Sequence, residues 1–242
     1  MQEEIVNIPT SDGMMETFIV RPNANNNPVI IIYMDAPGIR EELYQFARRV
    51  AGEGYMVILP DMYYRLDRPR FDFKHGVQDE MKRMFAAMRT LNNALVMTDT
   101  QAMLSWLTQT PGVKGRSLGC IGYCMSGQYV VSAAGTFPER FAAAASLYGV
   151  DIVTDEPDTP HKLASQIQGE LYFGFAETDS YVPDNVIPDL KAELDTHSVA
   201  YTLDVWPETH HGFCFPEREA YHEPSAEAVW VKVFDLFRRC LT

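Results

Sequence analysis

The chain has 242 residues, 46% of them hydrophobic, with a formal net charge of −13 and a sequence pI of about 4.8. This length suits one large α/β domain or two small ones, and the hydrophobic content is enough for a sizeable core. An acidic surface repels nucleic-acid phosphates and anionic lipids, so we expect neither nucleic-acid nor membrane partners. There is no basic, apolar leader pattern at Met1 and no apolar run long enough for a bilayer, which predicts a cytoplasmic protein.

The cysteine content argues against a disulfide framework. Four cysteines are present, and none of them forms a CxxC pair. So few cysteines without such spacing predict reduced thiols rather than structural disulfides. The four are Cys120, Cys124, Cys214 and Cys240.

The first third of the chain alternates strand and helix patterns. Residues 29–33 form a β-branched run typical of a strand buried on both faces, and residues 42–52 place their apolar side chains on one helical face. A strand, a helix and a strand in this spacing predict a parallel crossover. The predicted elements in this part are strands at 5–8, 16–21, 29–33 and 55–60, a helix at 42–52, and irregular loops at 23–28 and 61–74.

The same alternation continues to the end of the chain. It predicts an α/β fold with a mostly parallel sheet and helices on both faces, in a single domain over residues 1–242. The predicted elements are two helices within 79–109 that break near Asn92 and Asn93, a buried strand from Leu118, strands at 141–147, 170–176 and 201–206, and helices at 184–196 and 226–240.

Residues 118–127 carry the strongest functional pattern. A buried strand turns directly into a helix, and the turn contains Gly122, Cys124 and Ser126 in a small-x-nucleophile-x-small arrangement. Such a strained turn needs small residues two positions before and after its centre, and it lifts the central side chain towards the first amides of the helix. Those amides favour a thiolate and a developing oxyanion. We therefore interpret Cys124 as a nucleophile; Ser126 is a poorer candidate because large Gln128 follows it by two.

A thiol nucleophile needs a base, and the base needs an orienting acid. Strand ends after the turn offer Asp179 and a histidine at 210 or 211, in the chain order expected of an α/β hydrolase. Taken alone, an aspartate after a strand, such as Asp179, is more often a helix N-cap or turn residue than a catalytic acid. Spacing does not separate His210 from His211. Metal ligation by His210, His211, Cys214 and His222 lacks any standard zinc spacing, so we expect no metal.

The sequence from Val29 through the C-terminal helix resembles the dienelactone hydrolase family of cysteine-nucleophile α/β hydrolases. The resemblance implies an α/β-hydrolase fold without a separate lid domain, and it implies the triad Cys124, His211 and Asp179. It selects His211 over His210 because the family has a small residue and then Phe after its histidine. The motifs that carry it are Gly122-Tyr123-Cys124-Met125-Ser126-Gly127, Tyr148-Gly149, Asp179-Ser180-Tyr181-Val182-Pro183 and His211-Gly212-Phe213.

The resemblance also implies roles for residues around the triad. The backbone amides of Met125 and Ala36 match the family's oxyanion hole. Asp35 matches a glutamate that switches the cysteine between resting and ionised states, although Asp35 is one methylene shorter.

The residues at the family's substrate-binding positions differ in this sequence. Its carboxylate-binding arginine four residues after the histidine is Phe215 here, and its serine directly after the histidine is Gly212. Arg218 is a candidate replacement, and Arg83 lies near the position of a second family arginine. The expected substrate-binding residues are Arg83, Tyr123, Phe213, Phe215 and Arg218.

The leading hypothesis is a hydrolase that cleaves a carboxylic ester or lactone through an acyl group on Cys124, without a cofactor. The expected partner is the small-molecule substrate, and the expected oligomeric state is a monomer. Two alternatives are a non-catalytic small-molecule binding protein of the same fold, and a thiol redox protein that pairs Cys124 with Cys120 or Cys214.

Overall fold

The structure is a computed structural model that describes residues 1–22, 26–73, 77–113 and 117–241. The start of the predicted loop at 23–28 and the end of the predicted loop at 61–74 therefore lie outside the described residues. No helix in the described part of the chain is long and apolar enough to cross a membrane.

An eight-stranded sheet, counted over the described residues, forms the centre of the molecule. Its spatial order is β1-β2-β4-β3-β5-β6-β7-β8; β3 to β8 are mutually parallel, while β1 and β2 form an antiparallel hairpin at one edge. The strands are Gln2–Thr10 (β1), Gly13–Arg21 (β2), Val29–Tyr33 (β3), Met56–Pro60 (β4), Leu118–Tyr123 (β5), Phe141–Leu147 (β6), Glu170–Thr178 (β7) and Tyr201–His210 (β8).

Helices cover both faces of the sheet, as the alternating pattern predicts. Two residues of β3 on opposite faces show this. The hydroxyl of Tyr33 forms a hydrogen bond of 2.8 Å with that of Thr100, while Ile30 packs beside Gly119 and close to Phe237. The fully buried β-branched run of β3 is thus explained by helices on either side. The helices are Glu41–Gly52 (α1), Val77–Met88 (α2), Asn93–Thr108 (α3), Gly127–Thr136 (α4), Val186–Thr196 (α5) and Glu223–Cys240 (α6).

The predicted break in the helical stretch at 79–109 is confirmed. The first helix ends at Met88, and the second begins after Asn92, whose side-chain oxygen accepts a hydrogen bond of 2.9 Å from the Leu95 amide. Asparagine is favoured at this capping position because its side chain satisfies an otherwise unpaired amide of the first turn.

The predicted end of the last strand at residue 206 was wrong. Strand β8 continues past Pro207 to His210, with a register shift against β7 between Trp206 and His210. Proline is tolerated here because β8 is an edge strand, and the irregularity is absorbed by Glu208, whose φ is 59°. The consequence is functional, since this extension carries the chain to His211.

Candidate active site

Cys124 lies in the strained turn that the small-residue pattern predicts. Its φ is 54°, a left-handed conformation that is uncommon outside glycine, and a short 3₁₀ turn leads from it into α4. A Cβ at Gly122 would lie 2.3 Å from the carbonyl oxygen of Ser126, so the position two before the cysteine has no room for a side chain. The cysteine is only partly buried, which leaves its thiol accessible.

The start of α4 packs directly on the loop that follows β6. A Cβ at Gly127 would lie 2.2 Å from the Cα of Gly149, so the two backbones touch. In the same place the Val150 amide donates a hydrogen bond of 3.1 Å to the carbonyl oxygen of Cys124. The loop after β6 therefore forms one wall of the nucleophile's surroundings.

Two side chains tie the turn to the loop that contains Ala36. Tyr63 donates a hydrogen bond of 2.8 Å to the Ala36 carbonyl, and its hydroxyl lies 3.7 Å from the sulfur of Met125. Ser126, considered above as a rival nucleophile, is buried and donates to the Met34 carbonyl. The two residues expected to supply oxyanion amides are thus held in one fixed arrangement. Tyr63 was not predicted, because only the folded chain brings it to this position.

His211 and Asp179 come together at the ends of β8 and β7. Nδ1 of His211 lies 2.7 Å from Oδ2 of Asp179, while Oδ1 accepts a hydrogen bond of 3.0 Å from the Tyr181 amide. The ring of His211 also packs against Tyr148 and Tyr181, with centroids 5.2 and 4.8 Å away. Both the tautomer and the orientation of the imidazole are therefore constrained.

The surroundings of His211 favour its protonated form. Burial lowers its pKa, but the hydrogen bond to Asp179 and the interaction with Cys124 outweigh burial and raise the pKa to about 9. Nε2 is buried, and within the described residues it lacks a hydrogen bond of good geometry. Such bonds often tighten only when substrate binds. The geometry therefore leaves one imidazole nitrogen available on the side of Cys124.

The carboxylate of Asp35 binds two arginines. Arg40 donates to both of its carboxylate oxygens, and Arg218 donates to Oδ2. The two guanidinium groups lie on the ring of Phe215, at 4.7 and 4.8 Å from its centroid. The expected switching role of Asp35 needs a contact with Cys124, so that role stays a prediction. Arg40 was not predicted from the sequence.

Three of the expected substrate-binding residues are core residues instead. The side chains of Tyr123, Phe213 and Phe215 are fully buried, with 0% exposure, and pack among neighbouring rings. Direct contact of these three side chains with substrate stays a prediction, and their burial shows that they pack around the site. Aromatic residues beside a catalytic motif either contact substrate or pack in the core that supports the site. The sequence pattern does not distinguish these two roles.

Arg83 remains exposed on α2. It forms an ion pair with Glu80 and lies 5.7 Å from the ring of Phe71, which in turn contacts Tyr63 edge-on. This chain of contacts places Arg83 on the outer side of the loop that carries Tyr63.

The described residues contain no group of three or more His, Cys, Asp or Glu side chains suited to hold a metal ion.

Gly212 gives Arg218 the room it occupies, and this predicts the result of a substitution. The φ of Gly212 is 90°, and an added Cβ would lie 2.7 Å from Nη1 of Arg218. We expect Gly212→Ala to lower the free energy of unfolding through backbone strain and through displacement of Arg218. Gly54→Ala is the matched control, because Gly54 also has a positive φ, 100°, but no atom within 4 Å of an added Cβ.

The comparison isolates the contact with Arg218. Urea unfolding should show that Gly212→Ala costs about 2 kcal/mol more than Gly54→Ala, the size typical of overpacking. Equal losses in the two variants would contradict the tight packing of Arg218 on Gly212.

The fold and the strained cysteine turn at the carboxyl ends of the strands define an α/β hydrolase. The sequence profile of the dienelactone hydrolase family matches residues 15–241, and the chain belongs to that family. A protein from Synechocystis sp. named "Putative carboxymethylenebutenolidase" is 28% identical over 97% of this chain and 95% of its own length.

Solved structures show the same fold. The dienelactone hydrolase from Anabaena variabilis superposes with a TM-score of 0.70 at 18% identity and covers 100% of this chain and 99% of its own. A dienelactone hydrolase-like promiscuous phosphotriesterase, P91, from metagenomic libraries has a TM-score of 0.80 at 18% identity, with 99% and 98% coverage.

Proposed function

We propose that this protein hydrolyses carboxylic esters or lactones through an acyl group carried on Cys124, with His211 and Asp179 as its partners, in one domain over residues 1–242. The observation that carries the proposal is the 2.7 Å contact between Asp179 and His211, made next to a cysteine in a strained turn. The names of two relatives support the substrate class: the Synechocystis protein named "Putative carboxymethylenebutenolidase" and a Bradyrhizobium protein named "Probable 2-oxo-3-(5-oxofuran-2-ylidene)propanoate lactonase".

Acylation begins from a Cys124 thiolate beside a protonated His211. The sulfur attacks the carbonyl carbon, a C–S bond forms, and the carbonyl electrons move to oxygen. The amides of Met125 and Ala36 donate to that oxyanion. When the carbonyl reforms, the C–O bond to the alcohol breaks and the leaving oxygen takes the Nε2 proton of His211. The products of this step are a thioester on Cys124, a neutral imidazole and the alcohol.

Deacylation restores the enzyme with water. Nε2 of His211 takes a proton from water while the resulting hydroxide adds to the thioester carbon, again with the oxyanion held by the two amides. Collapse of this intermediate expels the Cys124 thiolate and releases the carboxylic acid. Asp179 stabilises the imidazolium in both stages through its bond to Nδ1. Trapping the acyl group on Cys124 is the experiment that tests the proposal.

The pKa of His211 predicts the alkaline limb of the pH profile. Because the leaving oxygen needs the Nε2 proton, we expect kcat/KM for ester hydrolysis to fall as the pH rises through about 9, the pKa of His211. Asp179→Asn removes a charge that raises this pKa, so the limb should move down by roughly one pH unit, with kcat/KM reduced about 10²-fold.

Glu177→Gln is the matched control for that variant. Glu177 is the other carboxylate at the end of β7, and it accepts a hydrogen bond from the Glu208 amide rather than from His211. The pH profile of Glu177→Gln should keep the alkaline limb of the wild type. The assignment of Asp179 fails if Asp179→Asn also keeps that limb, or if Glu177→Gln moves the limb as far as Asp179→Asn does.

The two alternatives find less support in the structure. Redox pairing needs a second reactive thiol, but Cys120 and Cys214 are buried and burial raises the pKa of each well above its usual range. A binding protein without catalysis has no need of the bond between Asp179 and His211 beside a strained cysteine. We therefore favour the hydrolase.

A further inference from the structure

The two amides expected to bind the oxyanion lie on different elements of the fold. Ala36 follows β3, and Met125 lies in the turn between β5 and α4. The ladder between these two parallel strands ends at Tyr33 and Gly122, before either amide is reached. An oxyanion hole works only when both donors lie about 2.7–3.1 Å from one oxygen. The separation of the two loops is therefore a quantity that the fold must fix.

Backbone hydrogen bonds set the direction of each amide within its own loop. The peptide that carries the Ala36 amide has the carbonyl of Asp35, which accepts a hydrogen bond of 2.8 Å from the Gly38 amide. The peptide that carries the second amide has the carbonyl of Cys124, which accepts the Val150 amide at 3.1 Å. In a trans peptide the N–H points away from the carbonyl, so each bond orients one amide. Neither bond spans the space between the two loops.

Two hydroxyl groups connect the loops beyond the end of the ladder. Ser126 follows Met125 directly and is buried. Its hydroxyl donates to the carbonyl oxygen of Met34, two residues before Ala36. Tyr63, in the loop after β4, donates a hydrogen bond of 2.8 Å to the Ala36 carbonyl, and its hydroxyl lies 3.7 Å from the sulfur of Met125. One hydroxyl thus links the two loops directly, and the other contacts both of them.

Tyr63 is itself anchored by its neighbours. Its amide donates a hydrogen bond of 3.1 Å to Oδ1 of Asp61, and Oδ2 of this buried carboxylate lies 2.7 Å from a guanidinium nitrogen of Arg70. The Tyr63 ring packs so closely on the turn after β3 that a Cβ at Gly38 would lie 3.2 Å from it. Burial raises the pKa of the Tyr63 hydroxyl, which therefore stays protonated and remains a donor. These contacts restrict the directions in which the hydroxyl can point.

We propose that the Ser126 and Tyr63 hydroxyls are positioning groups for the oxyanion hole, because they set the separation of its two amides so that both donate to one oxygen. The proposal rests on the hydrolase function proposed above. It gives Ser126, a poor candidate for the nucleophile, a role in the same reaction. Each hydroxyl acts through a backbone amide and not on the reacting atoms.

Other buried hydroxyls serve as a comparison, because a buried hydroxyl with a hydrogen bond contributes to stability wherever it lies in the fold. The hydroxyl of Tyr33 lies 2.8 Å from that of Thr100, and Ser132 on α4 donates a hydrogen bond of 2.7 Å to the side chain of Asn93. Both bonds lead to α3 and not to an oxyanion loop. Tyr33 and Ser132 match the two bridging residues in type and in burial, so they separate an effect on catalysis from a loss of stability.

Two reactions of the same cysteine distinguish positioning from general disruption. Acylation by a chromogenic aryl acetate develops an oxyanion and gives the burst rate constant. Thiolation by methyl methanethiosulfonate involves no carbonyl: the thiolate attacks the sulfenyl sulfur, an S–S bond forms and methanesulfinate leaves. Thiolation therefore reports the ionisation and accessibility of Cys124 without the two amides. Stopped-flow absorbance measures the first reaction, and mass spectrometry of the Cys124 peptide measures the second.

Tyr63→Phe and Ser126→Ala each remove one bridging hydroxyl with little change in shape. We expect each variant to lower the burst rate constant about tenfold, less than the loss of an oxyanion donor itself. Deacylation passes through a second oxyanion, so its rate constant should fall by a similar factor. The thiolation rate constant should stay within about twofold of the wild type, because the thiolate is unaltered.

Tyr33→Phe and Ser132→Ala are the controls for lost stability. Each also removes a buried hydroxyl and its hydrogen bond, so the midpoint of urea unfolding should fall as far as in the corresponding test variant. Their burst and thiolation rate constants should equal those of the wild type. Tyr63→Phe and Ser126→Ala each carry the test alone should the other fail to fold, since the two hydroxyls bond different carbonyls.

The positioning role is overturned if either folded test variant acylates at the wild-type rate, or if acylation and thiolation fall by the same factor. An equal loss of acylation in the control variants would overturn it as well. In each of these cases, a burst and an acetyl adduct on Cys124 of the wild type leave the hydrolase proposal standing. Absence of both from the wild type contradicts the hydrolase proposal, and the positioning role with it.

Discussion

Cys124→Ala should abolish the burst of product that wild-type enzyme releases from a chromogenic aryl acetate, and should lower steady-state turnover at least about 10³-fold. The reason is that the thiolate is the atom that forms the acyl bond, and an alanine methyl group offers no substitute. Stopped-flow absorbance measures the burst. Mass spectrometry of acid-quenched protein should find an acetyl group on Cys124 in the wild type and none in the variant.

The matched control is Cys240→Ala. Cys240 is also partly exposed, but it lies at the end of α6, where its thiol is 3.7 Å from a carboxylate oxygen of Glu170. This variant should keep both the burst and the adduct. An unchanged burst in Cys124→Ala, with a folded protein by circular dichroism, would refute Cys124 as the residue that carries the acyl group. No burst and no adduct in either protein would make the binding-protein alternative the better account.

Gly127→Ala should produce a large loss of stability from the addition of a single methyl group. The added Cβ would lie 2.2 Å from the Cα of Gly149 and 2.6 Å from the hydroxyl of Ser146. Backbone cannot yield as a flexible side chain does, so α4 and the loop after β6 must separate. We expect a loss of at least about 3 kcal/mol in the free energy of unfolding, measured with urea, at the upper end of overpacking effects.

Gly52→Ala is the control for the change of residue type. Gly52 is the last residue of α1, and an added Cβ there has no neighbour within 4 Å. The free energy of unfolding of Gly52→Ala should exceed that of the wild type by no more than about 1 kcal/mol, because alanine has a better helix propensity than glycine. If Gly127→Ala were as stable as Gly52→Ala, the close contact between α4 and the loop after β6 would be wrong.

The elements of this fold were predictable because their signals are local. The β-branched run of β3, the one-sided apolar face of α1 and the asparagine that caps α3 each act within a few residues. The cysteine turn was predictable for the same reason, since its small residues stand at fixed offsets. Strand β8 was predicted too short, since a proline usually ends a strand. Pro207 is tolerated because β8 lies at the edge of the sheet, and this position depends on the order of all the strands.

Contacts between distant residues were the part that the sequence did not reveal. Tyr63 reaches Ala36 and Met125 from another strand end, and Arg218 binds Asp35 from 183 positions further along the chain. These contacts depend on side-chain direction and on the register of neighbouring strands. No periodic pattern encodes them, so residues around the nucleophile were predicted by type and order while their supporting contacts were missed.

The Phe215 ring between Arg40 and Arg218 makes two sequence positions interdependent. An arginine placed at 215 alone would add a third guanidinium beside Asp35 and remove the aromatic surface on which the other two rest. A phenylalanine placed at 218 alone would leave Asp35 with one arginine fewer. We therefore expect strong epistasis between positions 215 and 218. Each single substitution should be unfavourable, and only the double exchange should place an arginine four residues after the histidine without that cost.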